Sequence, residues 1–154
     1  MTGKADFTAE EWQTVLEGPP SAGLMVAASQ KGGTFRESLS IGKAYVEARK
    51  QHGESQLLDE IVNAKPQLAH KRYHSLEELK NETMQKVRDA MALLGQKASP
   101  EEVEDYRQFV VNLANKVAEA HREGFLGMSG ERVSDAERQA VQEVAEAVGT
   151  SAPS

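Results

Sequence analysis

Five times along this chain a Ser or Thr stands three residues ahead of a Glu at the threshold of an apolar stretch: Thr8/Glu11, Thr34/Glu37, Ser75/Glu78, Ser99/Glu102 and Ser134/Glu137. Each is a capping box. The hydroxyl accepts from the backbone N–H at the third helical position and the Glu reaches back to the cap residue's own N–H, so two donors that a helix start leaves unpaired are satisfied locally. At about 1 kcal/mol per cap, five such boxes weigh heavily against a net stability of roughly 5–15 kcal/mol. No segment alternates apolar and polar residues with period two, and β-branched residues do not cluster. The expected fold is all-α, a single compact bundle of six or seven mostly antiparallel helices.

Helical spacing places the elements. Residues 1–7 read as a flexible leader, 8–149 as the bundle domain and 150–154 as a disordered tail. Thr8 caps a first helix, and Phe7 and Trp12 stand just before the cap and at the fourth helical position, as in a hydrophobic staple. Gly18-Pro19-Pro20 reads as a break, since interior proline removes a donor and clashes with the turn before it. The first helix is therefore expected to end at Glu17 and a second to run over 21–31, with the prolines at its start and Ser21 as a cap.

Thr34 opens a long helix to His52 with Phe35, Leu39, Gly42 and Val46 on one face, followed by two turns within 54–63 that carry Leu57, Leu58, Ile61 and Val62. Pro66 leads into a connector. From Ser75, Leu76, Leu79, Val87, Ala90, Met91 and Leu94 mark one face of a helix expected to close at Gly95. Ser99-Pro100-Glu101-Glu102 opens the next, with proline at the first helical position and acids where the macrodipole favours them. Val103, Tyr106, Val110, Leu113, Val117 and Ala120 form its seam. A glycine-bearing loop over 124–133 precedes a last helix to Val148, and fraying is expected from Gly149.

Bulk properties narrow the function. A 39% hydrophobic fraction with 12 glycines in 154 residues is that of an ordinary globular protein. Cysteine is absent, which excludes disulfides, thiol chemistry and Cys-ligated metal. The net charge of −6 repels polyphosphate, so no nucleic-acid partner is expected. The acidic 1–14 segment reads as neither a secretory signal nor a transit peptide, and the longest apolar stretch, 22–28, is far short of the roughly 20 residues of a transmembrane helix. A soluble cytoplasmic protein without a cofactor is the expectation.

Two segments stand out as candidate surfaces. Phe125, Leu126 and Met128 place large apolar side chains among glycines, where a loop is ordinarily polar. Folded inward they would plug the bundle end; left outside they would form a docking patch for a protein partner or a second copy. His70, Lys71 and Arg72 form the most basic part of the chain, a solvated run or a place for an acidic partner. His70 and His74 lie four apart, as a helical metal pair requires, but no third ligand accompanies them. The glycines match neither the P-loop nor the dinucleotide fingerprint, and no nucleophile elbow surrounds any serine.

Ala27-Ala28-Ser29-Gln30-Lys31-Gly32-Gly33-Thr34 with Glu37, and Ala120-His121-Arg122-Glu123-Gly124 through Gly130-Glu131-Arg132-Val133-Ser134 with Glu137, share a plan of helix, glycine turn and capped helix. This plan resembles the tellurite-resistance TerB-like family of small all-helical proteins. In that family acidic turn residues are implicated in divalent-metal binding, and Glu37 and Glu137 are the matching positions here. Lys31 and Ser129 stand immediately before the glycines, where the family carries aspartate. The resemblance implies a helical bundle linked to stress response rather than a reaction. The sequence thus favours a non-enzymatic protein that binds a macromolecule through 125–128 and 65–74. The alternative is a divalent-cation binder or small metal-dependent enzyme using His70, His74, Glu37 or Glu137, and a third reading is an apolar ligand held between helices.

Overall fold

A computed structural model describes residues 4–28, 43, 45–47, 50, 56–63, 75–124 and 135–149. Among them are a 3-10 turn at Lys4–Asp6 and five α-helices: α1 (Ala9–Ala28), α2 (Gln56–Asn63), α3 (Leu76–Lys97), α4 (Pro100–Gly124) and α5 (Asp135–Val148). Residues 43, 45–47 and 50 are also helical, and no strand occurs among the described residues. The chain is all-α.

The capping boxes at Thr8 and Ser99 close in both directions. Glu11 N–H donates to Thr8 Oγ1 at 3.1 Å while Thr8 N–H donates to Glu11 Oε1 at 2.8 Å. At Ser99 the two distances are 3.2 and 3.0 Å. Ser75 Oγ accepts from Glu78 N–H at 3.1 Å, with Ser75 in extended backbone. The Thr34 box lies outside the described residues, as does Ser134, although α5 begins at the next residue. Phe7 and Trp12 form the expected staple, with ring centroids 5.6 Å apart.

Gly18-Pro19-Pro20 does not break the chain. One 20-residue helix, α1, runs through both prolines, and Ser21 lies within it rather than capping a second helix. Pro19 lacks the N–H that would serve the Val15 carbonyl four residues earlier. That acceptor is served from another helix: the buried Tyr106 hydroxyl of α4 donates to Val15 O at 2.8 Å. The approach passes over Gly18, where a Cβ would lie 2.1 Å from Tyr106 Oη. Glycine is needed there for clearance. Burial, and secondarily the neighbouring Tyr45, raise the Tyr106 hydroxyl well above its usual value of 10.0, so it remains a neutral donor.

α1 packs most extensively on α3, and the two run antiparallel. Lys97 near the end of α3 meets Glu11 at the start of α1 at 2.7 Å, and seven residues further along α1 the Gly18 position approaches Ala90. Lys97 Nζ also donates to Asp6 O at 3.1 Å and lies 5.5 Å from the centre of the Phe7 ring. One ammonium therefore ties the 3-10 turn, the staple and the α1 cap to α3. The Lys97 hydrogen bond, and then the Thr8 N–H, hold the Glu11 carboxyl below its ordinary range.

α3 ends at Lys97, beyond the Gly95 stop the sequence suggests; Ala98 caps it by donating to Leu94 O at 2.8 Å. Gly95 is exposed, so it carries the modest helix-interior cost of glycine without serving as a terminator. The stop comes instead from Ser99-Pro100, which commits the backbone to α4. Although only Ala98 and Ser99 join them, α3 and α4 touch each other little, and α1 packs on both. The expected antiparallel pairing thus joins α3 to α1 rather than to its neighbour in sequence.

α4 buries Val103, Tyr106, Phe109, Val110, Leu113, Ala114 and Val117, a broader surface than a narrow seam. Tyr45, 2% exposed, meets Phe109 edge-on at 5.2 Å, and Glu47 pairs with Lys116. This orientation leaves Val46 46% exposed, against its expected place on the apolar face. Leu57 and Ile61 of α2 are buried. At the end of α5, Gly149 adopts φ +83° and Arg107 Nε donates to Val148 O at 2.7 Å, so Gly149 forms a helix stop tied to α4.

Candidate functional site

α3 and α5 enclose an open groove of about 700 Å³. Its α3 wall carries Glu77, Asn81, Met84 and Arg88, which stand four, three and four residues apart and so share one helical face. Lys80 stands beside them and meets Glu143 of α5 at 3.3 Å, a half-exposed ion pair that bridges the two walls. Glu146 and Ala147 complete the α5 side. Met84, 5% exposed, and the partly buried Ala147 belong to the core edge and form an apolar floor. Glu77, Asn81, Arg88 and Glu146 are exposed around it.

The groove has a direction. Glu77 sits in the first turn of α3 and Arg88 three turns further on, so one end of the α3 wall is acidic and the other basic. At 1.5 Å per residue the two charges are about 16 Å apart along the helix axis. Among the described residues neither is engaged in an ion pair. Glu146 Oε1 accepts from Gln142 at 3.4 Å on its own helix. This arrangement can grip a surface of mixed charge across an apolar centre, and among the described residues no three carboxylates or histidines converge as metal ligands do.

Phe125, Leu126, Met128, His70, Lys71, Arg72 and His74 lie outside the described residues, as does Glu37; α4 continues through Gly124, the residue just before Phe125. The groove residues carry no signal of a site in the sequence alone. Their four-three-four spacing marks one helical face, but Glu, Asn and Arg at those positions read as a solvated one. The chain matches no known protein family, no curated protein and no solved structure. No helix among the described residues is long and apolar enough to cross a membrane.

Proposed function

We propose that this chain is a non-enzymatic cytoplasmic protein that acts by binding another macromolecule, in the stress-linked setting that its TerB-like resemblance implies. The observation that carries this reading is the α3/α5 groove, whose apolar floor at Met84 and Ala147 lies inside a charged rim. Apolar centre and polar rim are the anatomy of a protein interface. The 125–128 loop and the basic His70, Lys71 and Arg72 run are the further contact surfaces of the same reading.

A photo-crosslinking side chain at exposed Asn81, compared with one at exposed Gln108 on α4, tests it in cells. Adducts to a protein chain are expected at position 81 and not at 108. Equal labelling at the two positions, or none at 81, removes the groove as a docking surface.

A further inference from the structure

We propose that residues 4–17, the 3-10 turn and the first half of α1, form an arm that opens as a unit about Gly18-Pro19-Pro20 while the rest of the bundle stays folded. The prolines define the hinge. In a helix each N–H donates to the carbonyl four residues back, so four such bonds would cross from residues 14–17 to residues 18–21. Pro19 and Pro20 remove the middle two, those to the Val15 and Leu16 carbonyls. The two halves of α1 are therefore least coupled where they meet.

The arm is held by other helices instead. At the hinge end Tyr106 donates to Val15 O at 2.8 Å, which replaces a bond within α1 by one to α4. At the far end Lys97 of α3 meets Glu11 at 2.7 Å and donates to Asp6 O at 3.1 Å. Both clasps tie the arm to its neighbours and neither ties it to the second half of α1.

Burial separates the two halves as well. From Gly18 to Val26 every residue is buried except the half-buried Leu24, so this stretch is enclosed on all sides. In the arm Thr8, Ala9 and Glu10 are exposed, Glu11, Gln13, Thr14 and Glu17 are partly so, and one face inserts Phe7, Trp12, Val15 and Leu16. Releasing the arm uncovers that face alone, whereas releasing the second half would dismantle the core. Local opening follows the route that gives up fewer apolar contacts.

The chain has no cysteine, so single thiols can report on each half. Val15 and Val26 are both 0% exposed, and Val15→Cys and Val26→Cys place one thiol in the arm and one beyond the hinge. A chromogenic aromatic disulfide reacts with either only after opening. Labelling at 15 should be at least about tenfold faster than at 26. It should also rise less steeply with urea, because arm opening exposes less surface than unfolding does. In these backgrounds Tyr106→Phe should speed labelling at 15 by about fivefold or more, and Lys97→Gln by about threefold. Ile61→Val weakens α2, which packs on α4, and should speed labelling at 26 by about fivefold while leaving 15 unchanged. Far-ultraviolet circular dichroism confirms that each variant remains helical. For any cysteine variant that does not, amide hydrogen exchange of the unsubstituted chain carries the same expectation, with residues 12–17 less protected than 22–28.

Equal rates at 15 and 26 with the same urea dependence, or an Ile61→Val effect of equal size at both, overturn the arm, because α1 then moves only with the whole bundle. A rate at 15 that is indifferent to Tyr106→Phe and Lys97→Gln overturns it too, since those contacts would then survive the opening they are held to prevent.

Discussion

The Tyr106 hydroxyl fills the hydrogen-bonding role that Pro19 cannot, donating at 2.8 Å to the Val15 carbonyl that a backbone N–H at position 19 would serve in an ordinary helix. A proline pair that should end α1 is accommodated from a helix 91 residues away in sequence. Gly18 supplies the clearance. The three features form one unit, and each can be removed separately.

Tyr106→Phe keeps the ring and leaves the Val15 carbonyl buried without its donor. A loss of about 1–3 kcal/mol is expected from urea denaturation. In a Pro19→Ala background the residue-19 N–H can take over, so the same substitution should cost less there. An undiminished cost would mean the hydroxyl does not compensate for the proline.

Gly18→Ala places a methyl 2.1 Å from Tyr106 Oη. The helix preference of alanine, up to about 1 kcal/mol over glycine, should be outweighed, and the variant should be less stable than wild type. With Tyr106→Phe the oxygen is gone and the nearest remaining ring atom is 3.3 Å away, so the double variant should lose less than the two single losses added together. Simple additivity in a denaturation cycle would contradict the close approach.

Acid should loosen the α1 start. Lys97, and then the Thr8 N–H, lower the Glu11 carboxyl below its ordinary 4.5. A lowered carboxylate contributes stability that is present above the unfolded-state value and is lost as pH falls through the folded one. Glu11→Gln should therefore be less stable than wild type at neutral pH and show a shallower decline below about pH 4.5. Denaturation midpoints at a series of pH values check this; parallel curves would refute it.

Alkali acts through Tyr106 with the opposite sign. Its hydroxyl is raised above 10.0 by burial and then by Tyr45, so its contribution is complete below that value and is lost as pH rises through the folded one. Phenolate absorbance should show one of the three tyrosines ionising later than a free phenol. Tyr106→Phe should remove that late component, and its persistence would place the raised group elsewhere.

The helix starts were legible because their chemistry is local. Thr8, Ser75 and Ser99 each lie within three residues of the Glu of their box, and the Phe7/Trp12 staple spans six residues. What failed was decided at long range. Pro19-Pro20 reads as a terminator until Tyr106 is known to stand over Val15, and Gly95 reads as one until Ser99-Pro100 is seen to set the boundary. Tyr45 turns inward to meet Phe109, which no spacing within its own helix could distinguish from an inward Val46. The groove is illegible for a different reason: its α3 wall has helical periodicity mainly in polar side chains, which on any helix also marks a solvated face.

The placement of α1 between α3 and α4 also bears on how the chain reaches its fold. The two helices flanking the Ala98-Ser99 joint make little contact with each other, so a hairpin formed from them alone has little to hold it closed. Val15 with Tyr106 and Asp6 with Lys97 are each separated by 91 residues, and closing such spans is an entropic search that local helix formation does not shorten. Refolding should consequently be slower than is usual for a small helical protein, with α1 docking as the step that makes the rest cooperative.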